Sequence, residues 1–327
     1  MTGPPVPAKI ATIGEAMVAF IAAPSKQKTE NPAATPDGTA DHFAATVIGA
    51  ESNVALGLTQ LGHHVRWVSR LGADRMGDFV EASLSARGLD LSVARDPDRP
   101  TAICIKELGG VTATRMRYYR SGSACCALDG SELDGMRDVG WIHLSGVTPA
   151  ISAAARQAVF AYLRWARSRG VRISFDVNYR PVLWEDNDLA AAVLTSIARQ
   201  SDVVFAGDDE VEALTGFTTG QSFVDYLGLG YGGRLIVFKR GAVGAEHWDA
   251  QGRIEEPARE VDAVDVTGAG DAFAAGYLSA LLRGYDPRAR LRLGHLLASR
   301  AIATSADVGQ APERGLIDDA LGIASGR

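Results

Sequence analysis

Short apolar runs alternate with stretches of helical periodicity from the start of the chain: residues 10–13 read as a strand, 52–61 as a helix, 65–69 as a strand and 79–87 as a helix. The rhythm resumes with strand 141–144, helix 150–168, strand 172–176, helix 188–199, strand 203–206, helix 210–215 and strand 234–239. Apolar runs this short are strands buried on both faces, and a helix between successive strands makes βαβ units. The predicted fold class is α/β, a doubly wound, mostly parallel sheet with helices on both faces, with the second half its regular part.

Between these stretches the pattern breaks. Residues 101–107 and 112–120 alternate apolar and polar like antiparallel strands, with Gly109-Gly110 as the turn, and no helix separates them. Residues 17–21 are a candidate third strand of the same kind. Together they predict a small β-sheet lid, drawn from about 16–46 and 100–123, over the carboxyl ends of the main strands, where open α/β sheets bind ligands. The polar stretch 24–41 is expected to cross this region as a mobile loop, and 1–7 to be a flexible tail before a single domain over 8–327.

Composition narrows the function classes. The 327 residues are 46% apolar and carry a formal net charge of −6, which argues against nucleic acid or an anionic membrane as the main partner. Small-molecule substrates fit better. The three cysteines include no Cys-x-x-Cys pair, so neither a disulfide framework nor a zinc site is expected. With no run of 18 apolar residues and no leader-like segment, the expected location is cytoplasmic. His63, His64 and His143 lack metal-like spacing and read as structural.

The richest segment chemically is Asp265-Val266-Thr267-Gly268-Ala269-Gly270-Asp271-Ala272-Phe273, which runs into the apolar stretch 274–282. Gly268 and Gly270 remove side chains that would hold an anion off the backbone. Consecutive N–H groups at a helix start can converge on a negative oxygen, and the helix dipole adds roughly half a positive charge there. Asp271 then stands in the first turn, facing that anion; taken alone, an acid there is equally a helix cap. The first strand leads into Ile13-Gly14-Glu15-Ala16-Met17, without the Gly-x-Gly-x-x-Gly of a dinucleotide site, and no Walker-type loop occurs.

With Gly276 one turn on, this string resembles the C-terminal signature of the ribokinase-like (PfkB) carbohydrate kinases. Gly49-Ala50-Glu51-Ser52-Asn53-Val54-Ala55, Leu61-Gly62 and Leu71-Gly72-Ala73-Asp74-Arg75-Met76-Gly77 resemble that family's first signature, in the expected order. Pro100-Thr101, Tyr118-Tyr119-Arg120 with Ser121-Gly122-Ser123-Ala124, and Phe175-Asp176-Val177-Asn178-Tyr179-Arg180 with Leu183-Trp184 are similar to the 2-keto-3-deoxygluconate kinases within it.

The resemblance implies a sugar or sugar acid and ATP as substrates, with Mg2+. Asp271 would be the general base and the amides of Gly268, Ala269 and Gly270 the anion hole. Gly49, Ala50 and Asn53 would line the sugar pocket, Tyr118 would wall it and Asp307 would close it. Arg120 and Arg180 suit a sugar-acid carboxylate, since an Arg fork binds one bidentately. Asn178, Lys239, Gly241, Gly244 and Thr267 would meet ATP, and Glu210 the metal. Asp265 and Thr267 are candidate holders of a monovalent cation, as in ribokinases. Two departures stand out: Gly207 replaces the usual Asn of the metal motif, and Cys104 stands where related kinases carry an aromatic. A kinase for a neutral sugar and a non-catalytic sensor remain the alternatives, and pairing of two copies through the lid remains open against a monomeric lid.

Overall fold

The computed structural model describes residues 9–23, 42–107, 114–134, 136–228, 233–304 and 308–323. In chain order they form β1 (Lys9–Ile13), β2 (Met17–Ala23), β3 (His42–Ile48), α1 (Ala50–Gln60), β4 (Val65–Gly72), α2 (Arg75–Ala86), β5 (Asp90–Asp96), β6 (Ile103–Glu107) and β7 (Arg115–Tyr119). Then come β8 (Val139–Ser145), α3 (Ala153–Arg169), β9 (Arg172–Asp176), α4 (Asn187–Ala198), β10 (Val203–Gly207), α5 (Asp208–Thr215), α6 (Gly220–Leu227) and β11 (Leu235–Lys239). The chain finishes with β12 (Gly244–Asp249), β13 (Gly252–Pro257), α7 (Ala269–Leu282), α8 (Pro287–Ile302) and α9 (Arg314–Ala320).

Among the described residues the main sheet has nine strands, in the order β13-β12-β11-β10-β9-β8-β1-β4-β5. From β5 to β11 every pairing is parallel. The strand alternation explains how one sheet serves two cores. Along β10, Val204 and Ala206 join α3 and α4 on one face, while Val203 and Phe205 join α1, α7 and α8 on the other. The chain runs outward from β1 to β5 and returns to the other side at β8. That reversal leaves a crevice at the carboxyl ends of β1 and β8, the place such sheets bind ligands.

The doubly wound sheet and the separate lid are both present, with corrections. The second half is not parallel throughout: β12 and β13 close the sheet as an antiparallel hairpin, because residues 250–251 leave no room for a crossover helix. In the lid, of order β3-β2-β6-β7, β2 pairs antiparallel with β3 but parallel with β6, so the three lid strands first read are not all antiparallel. The expected helix 150–168 starts at Ala153, where Ser152 caps by accepting from the Ala155 N–H; a 3-10 turn at Thr148–Ala150, with Pro149 inside it, precedes the cap. Gly170, at φ 67, ends this helix in the left-handed region. Helix α2 begins earlier than read, where Asp74 accepts from the Gly77 N–H. Strands β3, β5, β12 and β13 and helices α6, α8 and α9 went unread. The expected loop 24–41, the Gly109-Gly110 turn, the 1–7 tail and Asp307 lie outside the described residues. Among the described residues no helix is long and apolar enough to cross a membrane.

Candidate active site

Helix α7 is apolar nearly all round and buried from Asp271 to Ala280, so its N-terminus enters the crevice from inside the protein. The turn before it is self-braced. Asp265 Oδ1 accepts from the Thr267 N–H (3.1 Å) and Thr267 Oγ1 (2.8 Å), and Gly268 takes φ 78, a conformation glycine adopts at no steric cost. The Ala269 N–H turns back toward Val266 O at 3.3 Å, so one of the three expected anion-hole amides already has an acceptor within the turn. A side chain on Gly270 would press on the Lys239 ammonium, at 3.2 Å.

Both carboxylate oxygens of Asp271 are held. Asn53 Nδ2, from the first turn of α1, donates to Oδ2 at 2.9 Å, and Asn178 Nδ2, beyond β9, approaches Oδ1 at 3.4 Å. Asn178 is the one non-glycine residue with positive φ among those described, at 40°, a conformation Asn tolerates better than most and here the one that turns its amide to Asp271. Burial pushes the Asp271 carboxyl up to about 7, with the Asp176 charge adding to it and the Asn53 donor, Lys239 and Arg180 opposing it. A carboxylate poised near neutrality inside a cleft is suited to taking a proton.

Two adjoining cavities meet at this residue. One, of about 120 Å³, is lined by Gly49, Ala50, Asn53, Tyr118, Arg120 and Arg180 among others. The other, of about 710 Å³, is lined by Glu210, Lys239, Gly241, Gly244, Ala269 and Gly270. Asn178, Thr267, Gly268 and Asp271 border both, as do Tyr118 and Arg180. Every site residue expected from sequence thus lies at one or other cavity, apart from Asp265, which borders neither, and Asp307, which is outside the described residues.

Several of these side chains are already partnered. Lys239 Nζ sits 3.0 and 2.7 Å from the two oxygens of Asp176, with both groups nearly buried. Arg180 Nη1 donates to Glu210 Oε1 at 3.2 Å, while Glu210 Oε2 accepts from the Gly207 N–H at 3.0 Å. Arg120 pairs with Glu15 and lies over the Tyr118 ring at 5.6 Å. Glu15 also accepts from Ser123 Oγ at 3.0 Å, and its burial raises its carboxyl against the pull of Arg120. Tyr118 is directly opposite Cys104 across β6 and β7, and Cys104 is buried in the lid's underside with Met17, Ala19, Ile48 and Ala102.

The sequence reading gave no part in this site to Glu15 or Asp176, and no role of its own to Glu51 within the stretch 49–53 that it set at the sugar pocket. Glu51 accepts from Thr148 Oγ1 at 2.6 Å, and burial pushes it up to about 8, so it carries its proton at neutral pH. A signal existed for two of them, since Glu15 and Asp176 stand at the carboxyl ends of parallel strands. Among the described residues no cluster of three metal-ligating side chains occurs. Glu210, with Asp208 and Asp209 beside the larger cavity, fits an ion held mainly through water and phosphate oxygens. His143 is structural, as expected: it is buried against Ser174 at 2.9 Å, and burial lowers it to about 4.

The model of the pfkB family carbohydrate kinases matches residues 7–314. The chain is 33% identical over 278 residues to a 2-dehydro-3-deoxygluconokinase of Bacillus subtilis, covering 83% of this chain and 85% of that one. It is 29% identical to a 2-dehydro-3-deoxygalactonokinase of Haloferax volcanii, covering 89% and 90%. A crystal structure of a PfkB protein from Polaromonas sp. JS666 superposes with a TM-score of 0.79 at 33% identity, over 95% of this chain and 99% of that one.

Proposed function

The chain belongs to the pfkB family of carbohydrate kinases, and on that premise we propose that it transfers the γ-phosphoryl group of ATP to the terminal hydroxyl of a sugar acid, 2-keto-3-deoxygluconate, giving the 6-phosphate. The observation that carries the reading is the place of Asp271, at the junction of a small cavity of about 120 Å³ and a larger one of about 710 Å³, the first suited to a sugar and the second to a nucleotide. Asp271 takes the proton of the attacking hydroxyl, and the amides opening α7 hold the charge on the moving phosphoryl group. Asn53 and Asn178 fix the carboxylate between the two substrates. Gly49, Ala50 and Tyr118 enclose the sugar, and Arg120 and Arg180 supply the cationic side for its carboxylate. Lys239, Gly241, Gly244 and Thr267 border the nucleotide. Glu210 would hold Mg2+ through water, and the ion would neutralise phosphate charge. The curated relatives named above support the acceptor class, since both names are those of kinases for 2-dehydro-3-deoxy sugar acids.

A neutral sugar is the second reading. It is favoured by the pairing of both arginines with carboxylates, Glu15 and Glu210, which lowers the net positive charge facing a substrate. Phosphorus and carbon NMR of the product made from ATP and 2-keto-3-deoxygluconate tests the first reading. A phosphate ester on the terminal carbon supports it, and an acceptor left unchanged counts against it.

The reaction should also depend on pH in one direction. A general base works deprotonated, so kcat/KM should climb about tenfold per pH unit below the Asp271 midpoint, near 7, and level off above it. Because the Asn53 donor favours the charged form, Asn53→Ala should move that midpoint upward; a pH–rate profile that is flat from 5 to 9 would remove Asp271 from the role.

A further inference from the structure

Lys106 is the buried cation that the mechanism so far does not use. It projects from lid strand β6 on the same face as Cys104, its side chain is fully buried, and its Nζ lies 2.7 Å from Asp265 Oδ2. A lysine loses its hydration shell in such a place, so it stays there only against a compensating charge. Asp265 supplies that charge, and its second oxygen already accepts both donors of Thr267. The segment is pinned from behind as well, since the Val264 and Asp265 N–H groups both point to Ile302 O at the end of α8.

The monovalent cation expected at Asp265 and Thr267 does not fit this arrangement. An ion drawn to Asp265 would stand beside a buried ammonium that repels it, since one carboxylate oxygen faces Lys106 Nζ and the other faces two hydrogen-bond donors. We propose that Lys106 is a built-in monovalent cation: its fixed charge on Asp265 braces the turn that opens α7, so the enzyme works without potassium or any other soluble monovalent ion. The charge is carried by the lid, between the strand partners Ile21 and Met116. Met116 also borders both cavities, so the strand pair that carries Lys106 also walls the substrates. Lys106 is a positioning residue, acting through Asp265 and Thr267 rather than on a substrate.

The inference rests on the turn at 265–271 being the phosphoryl-transfer centre, and its test separates the two ideas. ADP formation is measured at constant ionic strength in potassium, ammonium, sodium and tetramethylammonium chloride, and melting temperature is measured in the same salts without substrates. Wild-type turnover should vary by less than about twofold across the salts, whereas Lys106→Met should lose about tenfold or more in tetramethylammonium and recover in potassium or ammonium. Potassium should raise the melting temperature of Lys106→Met and leave that of the wild type unchanged. The melting arm needs no turnover, so it stands even if Asp271 proves not to be the base. Activation of the wild type by about tenfold in potassium would overturn the proposal, as would a folded Lys106→Met protein that responds to no cation in either measurement. If Lys106→Met does not fold, the wild-type salt series decides by itself.

Discussion

Replacing Asp271 by Asn is expected to lower kcat by about a thousandfold while ATP and sugar still bind, the range associated with loss of a positioned general base. The substitution keeps the size of the side chain and leaves an oxygen for the Asn53 amide, which now donates to the carboxylate at 2.9 Å. The same change should make the protein more stable at pH 8. The folded carboxyl titrates near 7 instead of 3.8, so below the unfolded value its ionisation costs the fold nothing. Between the two values a penalty grows, and above the folded value it is fully present. Removing a penalty of up to a few kcal/mol should raise the melting temperature at alkaline pH and have little effect near pH 3. A protein that is more stable and almost inactive is the signature of a residue kept for chemistry. Turnover within about tenfold of wild type would mean the proton goes elsewhere.

The second large effect separates the two arginines. Arg180→Ala should raise KM for the sugar acid by about ten- to a hundredfold with little change in stability, because its side chain is half exposed and its partner Glu210 keeps the Gly207 N–H. Arg120→Ala should weaken the sugar acid at least as much and also cost the fold about 3 kcal/mol, because it strands Glu15 in a buried site. For a neutral sugar neither substitution should matter much to KM. Denaturant titration beside initial-rate kinetics distinguishes these outcomes, and an Arg180→Ala protein with unchanged KM for the sugar acid would remove the carboxylate contact from that residue.

Much of this was readable from the chain because the relevant signals are local. Strands buried on both faces leave unbroken apolar runs, as at Val203 to Ala206, and the Gly268 to Asp271 string announces its own turn. The closing hairpin was not readable in the same way. Glu246, His247, Glu255 and Glu256 interrupt any apolar run, and the strands are satisfied by pairs such as Arg253 with Glu246 and Arg288 with Glu256 that sequence does not display. Helix α8 hid for a similar reason, since Arg288, Arg290, Arg292 and Arg300 dilute its apolar face.

Within the site, residues carried by contiguous motifs were found, whereas the charge pairs they form were not. Glu15 meets Arg120, Glu210 meets Arg180 and Asp265 meets Lys106 only after β1, β9 and β10 have taken their places in the main sheet and the lid strands β6 and β7 lie over it. Lys106 left one trace: in the alternation of β6 it falls on the buried face, two residues from Cys104. A lysine in that register needs a partner, and the partner, Asp265, sits in the turn that opens α7.

The central claim, a sugar-acid kinase, is tested most directly by kcat/KM for ATP-dependent ADP formation with 2-keto-3-deoxygluconate, fructose and ribose under one set of conditions. If the two arginines serve a carboxylate, the sugar acid should be preferred by about a hundredfold or more. Equal or better turnover of either neutral sugar would contradict the account.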